Sequence, residues 1–452
     1  MNALSKNINT SALKSTTELK EIMNNVLKLA KEKGATDASV AVNLDAGFSV
    51  DIRIGSVETV AFSEDQGVGV NVYIGNSKGS ASSSDTSIAA LENMVQAAYD
   101  IASVSAPDIC FGLPDMELLS NSFPDLDLYH PWNISPEEAI NRAIACEKTA
   151  LSLDKRITNS DGAQISNYNF ITGHANSYGF MGFIQSSRHS VSCSLIAEDK
   201  KGKQRDYEYT TARDPKNLMN LDELAKSAVK RTTSRLDSKK IKTQKIPVIF
   251  SSRVCSSIFS SFISAISGGN LYQKNSFLLN SKGQEIFPKF IQIYEKPHLL
   301  GALGSAPFDA ECVPTRENKF VVDGVIEQYV LNTYSARKMG LKTTANCGGV
   351  FNLTVDETAS DLNSLLKIMG RGLLVTELMG QGVNILTGDY SKGATGFWVE
   401  NGEIQFPVEE ITIAGNLNNM FKQIVAIGND INPNIATNCG SVLISEMTVA
   451  GN

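Results

Sequence analysis

The sequence predicts an α+β protein in two parts. Residues 1–240 form an N-terminal α+β domain built on an antiparallel sheet. Residues 246–452 form a C-terminal, mostly β domain of sandwich or barrel type with a few helices. Three observations predict this. The chain has 452 residues, too many for one ordinary core. Its apolar spacing switches between helical and strand periods along the first half. From Ile246 onward, glycines and short apolar runs dominate.

The elements follow in order. Leu19, Ile22, Met23, Val26, Leu27 and Ala30 share one helical face, and Gly34 is placed to cap it. Phe48, Val50, Ile52 and Ile54 then alternate with polar residues, Gly55-Ser56 offers a turn, and Val68, Val70, Val72 and Ile74 repeat the alternation. A helix is expected from Asp85 to Val104. Another starts at Ser135, with Pro136 in its first turn and Glu138 three residues past the cap. Residues 105–134, punctuated by Pro107, Pro114, Pro124 and Pro131, read as a loop or crossing segment. Two polar β segments are expected at 156–176 and 189–211, a helix at Asp222–Arg235, and a basic linker at Asp237–Lys245. Ile246–Phe250 reads as a buried strand feeding a helix that carries Val254, Ile258, Phe259, Phe262, Ile263 and Ile266 and ends at Gly268-Gly269. Val399–Ile404 reads as a hairpin on Asn401-Gly402, residues that accept the positive φ of a tight turn.

Composition excludes several classes. Hydrophobic residues make up 42% and charged residues 20%, the balance of a globular chain. No run approaches the roughly 18 apolar residues of a membrane span. Met1–Thr17 is polar and lacks the apolar core of a secretory signal, so a cytoplasmic location is expected. Seven scattered cysteines without a Cys-x-x-Cys pair argue against disulfides and zinc ribbons. A net charge of −7 disfavours a nucleic-acid coat. Lys200–Lys245 is the exception, with 14 Lys/Arg against six Asp/Glu. It reads as a solvated helix with its linker or as a basic binding face.

Chemistry-bearing motifs are sparse. His130, His174, His189 and His298 show no i, i+4 pairing, and no His-Glu-x-x-His occurs. Glu409-Glu410 and Glu137-Glu138 identify no oxygen-ligand site. Cys347 and Cys439 lie beside glycines, but no histidine can be paired with them from spacing. Gly388–Gly393 lacks the Gly-Lys-Ser/Thr ending of a phosphate loop, and Gly380-Gln381-Gly382 lacks the third glycine of a dinucleotide fingerprint.

The run from Glu377 to Ile404, with Pro407–Leu417 beyond it, is distinctive and resembles the PmbA-like (TldE-like) branch of the TldD/PmbA family. Tyr334-Ser335-Ala336-Arg337-Lys338, Ala265–Gly269, Pro307-Phe308-Asp309 and Cys439–Leu443 share that resemblance, and Gly67–Val70 and Ser80–Asp85 fit more loosely. The resemblance implies a peptidase of two kinds of subunit. In the TldD-like subunit, a His-Glu-x-x-x-His helix at the start of the C-terminal domain holds zinc and cuts peptides. The matching helix here, Ser256–Gly269, has neither His nor Glu. A catalytic zinc needs about three protein ligands. The resemblance therefore implies no catalytic residue, metal or cofactor in this chain, with zinc in the partner.

On this reading the chain completes a chamber with a TldD-like partner and helps present unfolded peptide, with strand addition at a sheet edge as one way to hold it. Asp389, Tyr390, Lys392, Phe397 and Trp398 are candidates for a loop that contacts partner or peptide. The alternative places Phe397 and Trp398 in the core of a glycine-rich β corner. Two other functions stay open: a regulator, since some family members are described as modulators of DNA gyrase, and a metal-free hydrolase using Cys347 or Cys439. The oligomeric state of the isolated chain stays open too, a homodimer included.

Overall fold

The computed structural model describes residues 15–120, 122–359 and 361–451. In the first half, α1 (Thr16–Glu32), β1 (Asp37–Arg53), β2 (Ser56–Ile74), β3 (Ser77–Ser83), α2 (Ile88–Val104), α3 (Pro136–Leu153), β4 (Ile157–Asn176), β5 (Met181–Asp199), β6 (Gly202–Ala212) and α4 (Leu221–Ser234) follow in order. The strands form one antiparallel six-stranded sheet, β3-β2-β1-β4-β5-β6. Four of them run 17 to 20 residues.

Local chemistry sets the ends of these elements. Ser15 and Glu18 make a reciprocal capping box on α1, whose Leu19, Met23, Val26 and Ala30 are buried. Ser135 caps α3 with Pro136 in the first turn, as expected. The β1–β2 turn is Ile54-Gly55, one residue earlier than expected, and both residues have positive φ. Two apolar clusters line the sheet. One packs α1 and α2 on Val40, Val42, Val68 and Val70; the other packs α3 and α4 on Phe48, Val50, Ile165 and Val191.

The second half contains β7 (Gln244–Phe250), α5 (Ser256–Ala265), α6 (Gly268–Tyr272), β8 (Ile293–Glu295), β9 (Lys319–Val322), β10 (Val325–Ile326), α7 (Thr333–Lys338), β11 (Leu353–Val355), α8 (Leu362–Met369), β12 (Gly372–Met379), β13 (Asp389–Glu400), β14 (Glu403–Asn416), α9 (Leu417–Lys422), β15 (Ile424–Ile427) and β16 (Val442–Ala450). The order β14-β13-β12-β7-β16 closes through a β14–β16 pairing, so these strands form a barrel. β12 and β7 are parallel and the other barrel pairings antiparallel. The small sheet β10-β9-β8-β11 flanks it. The Asn401-Gly402 turn forms as expected, with φ of 54° and 75°.

Other expectations differ from the structure, among them the start of α2, at Ile88 rather than Asp85. The segment read as 189–211 is a β5–β6 hairpin that begins at Met181, because Gly179 at φ 89° turns the chain early. The helix expected to end at Gly268-Gly269 ends at Ala265, and Gly268 starts α6. The basic link Asp237–Lys245 is docked on the barrel: Lys239 N–H donates to Pro407 O, Ser238 bonds Glu409, and Ile241 is buried in the barrel core. Charge alone did not mark these side chains as packed.

Candidate functional site

α5 occupies the position where the resemblance places a zinc helix. Ile258, Phe259, Phe262 and Ala265 are fully buried in the barrel core. Phe262 meets Phe287 and Phe421 edge-on at 5.0 and 5.8 Å. The other face carries Ser256, Ser257, Ser260, Ile263 and Ser264, with Ser260 exposed. The serine hydroxyls turn back on the backbone: Ser257 donates to Val254 O at 2.7 Å and Ser261 to Ser257 O at 2.8 Å. This donor set does not fit a zinc ion, which takes thiolate, imidazole or carboxylate. Among the described residues, no group of three or more His, Cys, Asp or Glu is arranged to hold a metal.

The five residues singled out from the sequence lie on a strand, not a loop, and do not converge. Tyr390 and Trp398 are eight positions apart on β13, roughly 25 Å of extended chain. Asp389 is exposed and accepts hydrogen bonds from Thr387 and Asn416, which hold its carboxyl below the usual range. Tyr390 is only 1% exposed and sits edge-on to Phe250. Its hydroxyl has no partner in bonding geometry, and burial pushes its pKa up. Ser257 of α5 is its polar neighbour. Lys392 is half-buried, with Nζ 5.8 Å from the Tyr390 ring centre. Trp398 is buried, stacks on Phe406, lies under Arg371 and donates Nε1–H to Glu400 at 2.9 Å. Phe397 points the other way and packs against the cluster of Ile249, Leu365 and Leu374. Strand alternation explains the split, and a bulge at Thr395 shifts the period between Tyr390 and Trp398.

The thiols do not form a nucleophile site. Burial, with Glu311 and Asp309 nearby, pushes the Cys347 thiol up, and burial does the same for Cys439. The histidines are engaged elsewhere. His130 bonds Asp127 O, His189 bonds His130 O, His298 bonds Thr315, and His174 packs edge-on to Phe308. Seven of the 14 Lys/Arg of the basic stretch make ion pairs: Lys201 with Asp237, Lys203 with Glu198, Arg205 with Asp161, Arg231 and Arg235 with Asp206, Lys240 with Glu410, and Lys245 with Glu446.

The structure gives a role to motifs whose chemistry was not legible. On α7, Tyr334 and Lys338 both bind Asp108 of the crossing segment, at 2.9 and 2.6 Å, and Arg337 binds Leu113 O and Asp115 at 2.8 Å. The Lys338 contact is the main cause that lowers Asp108 to about 2. Phe111 stacks on Tyr334 at 4.7 Å. Arg213, after β6, donates to Ala302 O and Leu303 O at 2.9 and 2.8 Å. Phe308 meets Phe123 and Phe180 edge-on. These groups clamp the long-stranded sheet to the barrel. The signals available in the sequence were the run of aromatic and basic residues at 334–338 and Pro307-Phe308-Asp309.

Fold and site together define a barrel-and-sheet scaffold whose barrel helix carries hydroxyl and apolar side chains where metal chemistry would need ligands. Models described as PmbA/TldA metallopeptidase domain 1, central domain and C-terminal domain match residues 38–102, 129–236 and 243–451. The chain belongs to the PmbA/TldD metallopeptidase family. It is 47% identical to the metalloprotease PmbA of Escherichia coli and 43% identical to a PmbA homolog of Haemophilus influenzae, with 96% of each chain covered in both cases. Its fold is similar to that of a Bacteroides thetaiotaomicron protein called a modulator of DNA gyrase, with a TM-score of 0.90 at 27% identity, covering 96% of this chain and 99% of the other. TldE of Thermococcus kodakarensis shares the fold at a TM-score of 0.82 and 19% identity, covering 95% of this chain and all of the other.

Proposed function

We propose that this chain is the zinc-free subunit of a cytoplasmic heteromeric peptidase, completing a chamber with a TldD-like partner that carries the zinc and acts on unfolded peptides. The observation that carries this reading is α5. It opens the C-terminal half, faces out with serines, and offers no imidazole or carboxylate to hold an ion or act as general base. Asp389 and Lys392, at the accessible end of β13, are the side chains from the candidate set that can reach a partner or peptide. Phe397 and Trp398 act by packing.

The test is metal analysis and peptide hydrolysis by the purified chain, with and without a TldD-family subunit. The expected result is no stoichiometric zinc and cleavage of an unfolded peptide only in the mixture. Metal-dependent cleavage by the chain alone sinks the proposal. The name of the Bacteroides relative supplies a second reading, a regulatory binding protein. Ion pairs take up half of the basic side chains of that stretch, and the net charge of −7 weighs against a nucleic-acid face. Tight DNA binding that falls steeply with salt would reinstate that reading.

A further inference from the structure

The long β1–β2 hairpin ends in an arm with a bare edge. β3 pairs with β2 only from Val68 to Ile74. From Ser56 to Gly67, β2 has β1 on one side, and among the described residues its other edge has no strand, helix or loop bonded to it. Beyond one irregularity opposite Asp51–Ile52, Thr59–Gly67 runs in unbroken register with β1. Residues 56–66 are exposed or half-buried on both faces. Eight open residues, Thr59–Gln66, span about 26 Å, a full strand length.

An edge of this kind is an invitation to pairing, and monomeric proteins blunt it with lysine, proline or a covering element. Ser56–Gln66 contains no Lys and no Pro. It carries instead two β-branched valines, Val57 and Val60, and an exposed Phe62 (54%), with Ile54 (55%) at the turn. Edge charge is acidic but for Arg53, which pairs with Glu58 at 3.9 Å. Glu58, Glu64 and Asp65 lie on the arm, Asp45 and Asp51 lie opposite on β1, and Arg53 is the single base between Lys33 and Lys78. Asp45 is raised by burial and by Asp65 across the ladder, a sign of crowded negative charge.

We propose that the β2 edge at Thr59–Gln66 is a subunit interface, which in the assembly takes an antiparallel or parallel strand with basic side chains from the TldD-like partner. This rests on the heteromer reading above. Two acidic edges repel, so a second copy of this chain is the poorer occupant. A bare edge this long risks aggregation whenever it is empty. A resident subunit strand therefore suits it better than a transient peptide.

Amide hydrogen exchange of the full chain tests this, alone and mixed with a TldD-family subunit, alongside a mass measurement of the complex. The expected result is slowed exchange over 57–66 on complex formation. A Glu58→Lys/Glu64→Lys/Asp65→Lys variant is expected to bind the partner about tenfold more weakly. A complex that forms while 57–66 exchanges unchanged overturns the edge assignment and leaves the heteromer intact. Failure to form any complex overturns the heteromer reading itself. Protection that rises with the concentration of the chain alone assigns the edge to a second copy. Protection that needs only an unfolded peptide assigns it to substrate. Either outcome overturns the proposal.

Discussion

Asp309 shows how one buried carboxyl couples this fold to pH. It is 2% exposed and accepts backbone N–H bonds from Glu311, Val313 and Cys347. Burial outweighs these bonds, with Glu311 adding repulsion, and pushes it up to about 7. An unfolded Asp titrates near 3.9, so the native state binds the extra proton between about 4 and 7. Stability from this group is therefore full below about pH 4 and lost as pH rises through 7. Denaturant unfolding at pH 4.5 and pH 8 is expected to differ by up to ~3 kcal/mol from this group, and Asp309→Asn is expected to flatten that difference. A pH slope unchanged in the variant would assign the effect elsewhere. Pro307-Phe308-Asp309 stood out in the sequence, but nothing in it said that Asp309 would be buried.

Elements are held by close approaches that only glycine permits. At the β13 bulge, a Cβ on Gly396 would sit 1.9 Å from Leu374 O of β12, and one on Gly268 would sit 2.2 Å from Ser335 Oγ of α7. Gly268 and Ser335 both belong to segments noted from the sequence for their resemblance, and the contact between them is the physical reason they go together. Gly396→Ala is expected to destabilise the barrel by about 1–3 kcal/mol through backbone displacement. A thermal melt checks this, and an unshifted midpoint would show that the ladder yields freely. β13 also explains why its candidate residues could not be sorted in advance. Alternation was visible, but a bulge moves one residue without leaving a mark in composition.

Across the whole molecule, polar clamps join sheet and barrel. Asn434 binds the β6 edge at Thr211 N–H and Tyr209 O, Arg235 reaches Glu377 at 2.6 Å, and Arg253 meets Glu208 and stacks over Tyr207. The α7 clamp adds Tyr334, Arg337 and Lys338 on the crossing segment. Removing this clamp with Arg337→Ala/Lys338→Ala is expected to raise the rate of proteolytic nicking in 105–134 severalfold while both halves keep their secondary structure. Equal nicking rates would show that apolar packing at Phe308 suffices.

By itself the sequence determined the fold class, the order of elements and the family. Those depend on local periodicity, turn chemistry and a contiguous motif, which one dimension records in full. It also settled that Ser256–Gly269 lacks ligands, because ligand chemistry is a property of residue type. Only the tertiary structure decided that Tyr390 and Trp398 are core, that the basic link is paired and docked, that α7 is a clamp and that β2 keeps an open edge. Each of these depends on which distant segments meet, and neighbours across a sheet or between halves leave no periodic trace along the chain.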